Sequence, residues 1–82
     1  MFSKDEISSR IVKWFSKKFN QNIDINENYL DAGFIDSFEI IELISFIEST
    51  YKIKFSSNDF KDSRFYSLNG LSDLIIEKIP II

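Results

Sequence analysis

The sequence predicts an all-α protein, a small four-helix bundle with three longer helices and one short helix. Three observations favour this fold. Apolar residues recur every three or four positions in separate segments, which is the helical period. Serine or aspartate residues with helix-capping spacing precede these segments. Only two glycines and one proline occur in 82 residues, too few for a sheet with many tight turns. Residues 1-82 are expected to form a single domain.

The first helix is predicted at residues 4–19. Ser3 and Glu6 have capping-box spacing, in which the hydroxyl accepts a hydrogen bond from the amide three residues later. Lys17 and Lys18 near the end suit the negative pole of the helix dipole. The apolar stripe recurs every four residues and consists of Ile7, Ile11, Phe15 and Phe19.

A long loop is predicted between the first and second helices, at residues 20–35. The segment is rich in Asn and Asp, and its apolar residues do not keep a helical period. The alternation of Ile23 and Ile25 leaves a short strand possible. We prefer an irregular loop held in place by Ile23, Ile25, Tyr29 and Leu30. Unstructured loops above about 12 residues are uncommon in compact domains and are often functional.

The second helix is predicted at about residues 37–51. Asp36 and Glu39 repeat the capping-box spacing at its start. The three glutamates of this helix, Glu39, Glu42 and Glu48, are expected on the side opposite the core. The predicted buried stripe contains Ile40, Ile41, Leu43, Ile44 and Ile47.

The remainder of the chain predicts a connector and two further helices. Residues 51–55 alternate apolar and basic side chains, which fits a strand or, since no partner strand is obvious, an extended connector. Ser56 and Asp59 have the spacing that opens a short third helix around Phe60. Ser67 is placed to cap the fourth helix, and Pro80 marks its end.

Charge and composition exclude several classes of function. The chain has no Cys and no His, so a disulfide scaffold, a thiolate nucleophile and imidazole catalysis are ruled out. No metal-ligand spacing appears, and we do not expect an enzyme. The longest apolar run is three residues, too short for a membrane span or a signal-peptide core. A cytoplasmic monomer is therefore expected.

The middle third of the chain is acidic. Residues 23–51 contain seven acidic residues and no Lys or Arg. Because phosphate contacts need Lys and Arg, nucleic acid is not an expected partner. A basic protein partner fits this charge better. The alternative is a solvated helix face that serves only solubility.

One side chain in this region, the hydroxyl of Ser37, is a candidate for carrying a phosphate group. Ser37 follows the predicted cap Asp36 and lies in the first turn of the acidic helix, where the long loop ends. A helix N-terminus has unpaired amides and a positive dipole end, which favour a phosphate group. Capping alone also explains an Asp-Ser pair at a helix start, so the dipeptide by itself decides nothing.

The wider motif resembles the acyl carrier protein family. Residues 33–43 read Gly-Phe-Ile-Asp-Ser-Phe-Glu-Ile-Ile-Glu-Leu. In that family an Asp-Ser-Leu-type motif opens the second helix, and the serine is esterified with 4′-phosphopantetheine. The resemblance covers nearly the whole chain, including its length, the helix order, the long first loop and the acidic second helix.

The resemblance implies roles for particular residues. Ser37 would be the attachment site of 4′-phosphopantetheine, taken from coenzyme A, and would carry acyl or aminoacyl groups as thioesters. The implied partners are a phosphopantetheinyl transferase, a loading ligase for the acyl or aminoacyl group, and downstream transferases with basic docking patches. Asp36 would assist the modification. Partner recognition would fall to Asp36, Phe38, Glu39, Glu42 and Glu48.

Two features of the motif are closer to D-alanyl carrier proteins and to stand-alone carriers of specialised pathways. Phe38 stands where Leu is usual, and two residues, Phe34 and Ile35, separate Gly33 from Asp36. The cargo stays open among fatty acyl, D-alanyl, other aminoacyl and polyketide groups. The alternative function is a carrier-like interaction module that binds or regulates a partner without bearing the arm.

Overall fold

The computed structural model describes residues 3–20, 22–33 and 35–79. No strand occurs within these ranges, and the predicted all-α bundle of three longer helices and one short helix is confirmed. A 3-10 helix, which the sequence did not indicate, lies between the third and fourth helices at Ser63–Tyr66. The α-helices are α1 Lys4–Phe19, α2 Ser37–Tyr51, α3 Ser57–Lys61 and α4 Leu68–Lys78.

The helix starts are fixed by the predicted caps. The amide of Glu6 donates to the Ser3 hydroxyl over 3.2 Å at the start of α1. The amide of Gly70 donates to the Ser67 hydroxyl over 3.0 Å at the start of α4. Each cap satisfies one of the amides that an α-helix leaves unpaired at its N-terminus. Pro80, the predicted stop of α4, lies outside the described residues.

The α1 and α2 helices are antiparallel and meet through aromatic and charged contacts. Trp14 of α1 stacks on Phe46 of α2, with ring centroids 5.8 Å apart. In the middle of α1, Arg10 lines a groove together with Tyr51, the last residue of α2. Offset aromatic stacking adds to the free energy gained from burial of the rings.

One buried cluster joins all the longer helices, the loop and the 3-10 helix. Its aromatic members come from different elements: Phe15 from α1, Tyr29 from the loop and Phe65 from the 3-10 helix. Such rings give a small domain much of its buried apolar area. The buried residues are Ile7, Ile11, Phe15, Tyr29, Ile35, Leu43, Ile47, Tyr51, Ile53, Phe65, Leu68, Leu71, Leu74 and Ile75.

Two predicted core positions are wrong. Ile41 is 61% exposed, because α2 turns by about 100° per residue and its buried side is centred on Leu43 and Ile47. Leu30 is also exposed. It lies in a turn where the Asn28 side chain accepts hydrogen bonds from the amides of Leu30 and Asp31, at 3.0 Å each. This turn places Tyr29 inward and Leu30 outward.

The predicted loop is confirmed as irregular, and its backbone is hydrogen-bonded to the 3-10 helix and to α4. The amide of Tyr29 donates to the carbonyl of Tyr66 over 3.1 Å, and the amide of Asn69 donates to the carbonyl of Ile25 over 2.8 Å. The fully buried Tyr29 hydroxyl donates to the carbonyl of Phe65. Burial, with a smaller contribution from Tyr66, raises the pKa of Tyr29 well above its ordinary value.

Gly70 allows the 3-10 helix to lie directly against α4. A Cβ atom at this position would lie 2.2 Å from the carbonyl oxygen and 2.6 Å from the Cα of Arg64. Both are backbone atoms and cannot move away by rotation of a side chain. The close approach therefore depends on the missing side chain of Gly70.

Ion pairs fasten α3 and the 3-10 helix to the end of α4. Lys78 lies 2.7 Å from Asp59, and Arg64 pairs with both Asp62 and Glu77. Burial alone favours the neutral acid at Asp59, but hydrogen bonds from Lys78 and Ser56 outweigh it and hold the pKa below its ordinary value. In the part of the chain that is described, no helix is long and apolar enough to cross a bilayer.

We expect Tyr29→Phe to lower the free energy of unfolding by about 1–2 kcal/mol, because the buried Phe65 carbonyl loses its donor. Urea unfolding followed by fluorescence of the single tryptophan measures this. Tyr66→Phe is the matched control, since the Tyr66 hydroxyl donates to the Phe60 carbonyl in an exposed bond. Equal losses in the two variants would contradict a special role for the buried phenol.

We expect Gly70→Ala to destabilise the protein by about 1–3 kcal/mol through overpacking. Alanine is the better helix former by about 1 kcal/mol, so a steric effect must exceed this gain. Thermal and urea unfolding of the variant give the sign directly. Equal or higher stability would show that the backbone at Arg64 yields at little cost.

Candidate functional site

Ser37 lies where the loop meets α2, as predicted. It is the first residue of α2, and its side chain is exposed. Ile35, two residues earlier, is buried in the core and fixes the direction from which the chain enters the helix. Phe34, which belongs to the motif, is outside the described residues. The serine thus lies at a helix start that follows a buried neighbour.

The start of α2 is capped by a complete capping box that does not use Ser37. The amide of Glu39 donates to the Asp36 carboxylate over 2.8 Å, and the amide of Asp36 donates to the Glu39 carboxylate over 3.1 Å. Both predicted capping residues therefore have structural partners. Because Asp36 caps the helix, the Ser37 hydroxyl is not required for that purpose, and Ser37 is exposed.

Two large apolar side chains lie exposed beside the serine. Phe38 is 70% exposed and Ile41 is 61% exposed. They are three residues apart, which places them on neighbouring turns of the same side of α2. The exposure of Phe38 suits a role in partner recognition, and that role stays a prediction. Ile41 was predicted to be buried. Its angular position on α2 indicates exposure instead, because it falls outside the stripe formed by Ile40, Leu43, Ile44 and Ile47.

Glu42 is paired with a lysine of the neighbouring helix. Its carboxylate lies 2.8 Å from the Lys18 ammonium, and that ammonium is also 5.5 Å from the centre of the Trp14 ring. An ion pair this exposed contributes at most about 1 kcal/mol. The Lys18 contact balances the charge of Glu42, so a partner that binds Glu42 competes with an internal cation.

Glu48 lies further from the serine and is tied to the connector. Its carboxylate accepts a hydrogen bond from the amide of Phe55 over 2.9 Å, and the Lys54 ammonium lies 3.8 Å away. The side chain is only 21% exposed. The role of Glu48 in partner recognition stays a prediction, and the structure gives it a second task in holding the connector against α2.

Two surface grooves of the described residues do not include Ser37. One lies between α1 and the end of α2, and includes Arg10, Lys13 and Tyr51. The other follows the second half of α2 and includes Ser45, Lys52 and Lys54. Within the described ranges, no three Asp or Glu residues are grouped as metal ligands. The candidate site is the exposed Ser37 at the start of α2.

Four of the five hydrophobic residues that were expected to form the core side of α2 do so. Leu43 and Ile47 are fully buried, and Ile40 and Ile44 are half-buried against the same cluster.

Comparison with the models of known families, with the curated proteins and with the solved structures finds no match for this chain.

We expect Asp36→Ala to lower the free energy of unfolding by about 1 kcal/mol, since the Glu39 amide loses its acceptor. Asp36→Asn keeps an acceptor oxygen and is expected to cost much less. Urea unfolding at neutral pH distinguishes the two, with Asp31→Ala, an exposed turn residue, as the control. If Asn were as harmful as Ala, the charge of Asp36 would matter more than its capping bond.

Proposed function

We propose that this protein is an acyl carrier protein that bears a 4′-phosphopantetheine arm on Ser37 and delivers acyl or aminoacyl groups to partner enzymes. The observation that carries the proposal is the exposed Ser37 hydroxyl, placed at the first position of α2 and released from capping by Asp36. The resemblance of residues 33–43 to the acyl carrier motif supports the same reading. When attached, the arm supplies the thiol that holds the cargo as a thioester.

The part played by Ser37 in its own modification is limited. In the proposed step, the Ser37 Oγ forms a bond to the β-phosphorus of coenzyme A. The pyrophosphate P–O bond breaks, the adenosine bisphosphate leaves, and a base of the transferase takes the hydroxyl proton. The chain has no His or Cys, which agrees with a protein that offers the acceptor oxygen and leaves proton transfer to its partner.

The start of α2 suits the phosphodiester that this step produces. The positive end of the helix dipole and the amides of the first turn both favour a negative group at Ser37. Asp36 is a neighbouring negative charge and opposes this effect. The Asp36 carboxylate accepts a hydrogen bond from the Glu39 amide, so its negative charge interacts with the amides of the helix start.

The surface around Ser37 has the composition of a transient docking site. Phe38 and Ile41 offer exposed apolar area, and Glu42 lies on the next part of the same surface. Apolar anchors supply most of the binding free energy at an interface, while charges set orientation and association rate. A basic patch on the partner would replace Lys18 at Glu42, so docking should weaken as salt rises.

The attachment is tested by incubation with coenzyme A, magnesium and a broad-specificity phosphopantetheinyl transferase, followed by intact mass measurement. We expect the protein to gain the mass of one phosphopantetheine group, and Ser37→Ala to abolish the gain. Ser45→Ala, another exposed serine of α2, is the matched control and should gain the full mass.

Two outcomes would overturn the proposal in different ways. If Ser37→Ala still gained the mass, the arm would be attached elsewhere. If the folded wild-type protein stayed at its polypeptide mass while a known carrier in the same tube was modified, the arm-free interaction module would be the better function. Circular dichroism of each variant separates a lost site from a lost fold.

A further inference from the structure

The solvent side of α1 carries a basic face made of Arg10, Lys13 and Lys17. Their spacing of three and four residues places them on one side of the helix, and all three are exposed. This basic face lies apart from Ser37. The groove that includes Arg10 and Lys13 ends at Tyr51, and Tyr51 is fourteen residues along α2 from Ser37, or about 20 Å at the rise of an α-helix.

These three cations differ from the other basic residues of α1. Lys4 pairs with Asp73 over 3.0 Å, and Lys18 pairs with Glu42 over 2.8 Å. Among the described residues, no carboxylate lies within ion-pair distance of Arg10, Lys13 or Lys17. Like charges spaced by one helical turn destabilise a helix. The dipole explains Lys17 in the last turn, but it does not explain Arg10 and Lys13 in the middle.

The groove beside the basic face has a mixed lining. Arg10 and Lys13 lie on it together with Ser9 and Tyr51, and Asp5 and Glu6 line the end nearest the start of α1. The aromatic Tyr51 also lines the groove and is almost fully buried. Of these residue types, Arg and Tyr are enriched at protein interfaces.

We propose that the basic face of α1 and its groove bind an acidic segment of a partner protein, separately from the surface around Ser37. Charge complementarity selects this occupant. A lipid surface or a nucleic acid is uniformly anionic, and both would meet Asp5 and Glu6 beside only three cations. A protein segment can place its acidic residues against Arg10 and Lys13 and direct a neutral or basic residue toward Asp5 and Glu6.

The molecule would thus have two docking surfaces of opposite charge. The acidic α2 surface beside Ser37 would meet a basic patch, and the basic face of α1 would meet an acidic one. The second surface does not depend on the arm. A test in a Ser37→Ala background therefore separates its failure from failure of the carrier proposal.

The test is an NMR titration of isotope-labelled Ser37→Ala protein with a synthetic Glu-rich amphipathic peptide. The same peptide with Gln in place of Glu and vesicles containing phosphatidylglycerol serve as comparison ligands. We expect saturable shifts of the amides of Ser9, Lys13 and Tyr51 with the Glu peptide and weak shifts with the Gln peptide. At low ionic strength, Lys13→Glu should weaken binding about five- to tenfold.

Lys61→Glu is the matched control, because Lys61 is an exposed lysine of α3 with no ion pair among the described residues. It makes the same charge change away from the groove and should alter binding less than about twofold. Arg10→Gln is a second variant that tests the face without introducing an acidic side chain. Equal weakening by Lys61→Glu, larger shifts outside the groove, or binding of vesicles but not of the peptide would each overturn the proposal.

Discussion

The buried Tyr29 is the contact on which the geometry of the exposed serine depends. The loop before α2 has no regular structure of its own, so its order must come from contacts with the rest of the protein. Tyr29 supplies them by packing its ring in the core and by donating from its amide and hydroxyl to consecutive carbonyls of the 3-10 helix. Release of the loop would leave these carbonyls without their donors, and this penalty holds the loop at Tyr29 against the 3-10 helix.

The parts of the fold that were predicted from the sequence are those with local causes. The bounds of α1 and α2 follow from caps and apolar residues that lie within a few positions of one another, as with Ser3 and Glu6. The 3-10 helix has a local cap in the Asp62 carboxylate but no helical apolar period. Its position also requires Gly70, a few residues later, which lets it approach α4, and the hydrogen bonds from Tyr29, which is distant in sequence. Tertiary contacts of this kind leave no periodic signal.

The candidate site also has features with local causes, which the sequence predicts, and features that depend on distant partners, which it does not. The place of Ser37 at a helix start was predicted from the capping spacing of Asp36 and Glu39, and the hydrogen bonds of these two residues confirm the cap. Glu42 and Glu48 have partners that lie outside their own turn of α2. Glu42 pairs with Lys18, twenty-four residues earlier, and Glu48 binds the amide of Phe55 beyond the end of the helix. The acidic side of α2 is thus partly engaged within the protein, a fact that charge counting could not reveal.

The contact at Gly70 links the end of the chain to the serine near its middle. Arg64 lies against Gly70, the next two residues offer their carbonyls to Tyr29, and Tyr29 holds the loop that leads to Asp36. A displacement of the 3-10 helix would pass along these contacts and alter how the start of α2 is presented. A variant more than thirty positions away from Ser37 could then impair recognition by the proposed modifying enzyme while every residue of the motif was intact. Under the proposed function, a genetic screen for unmodified protein would recover such variants in the C-terminal half, although the substituted residues do not contact the modifying enzyme.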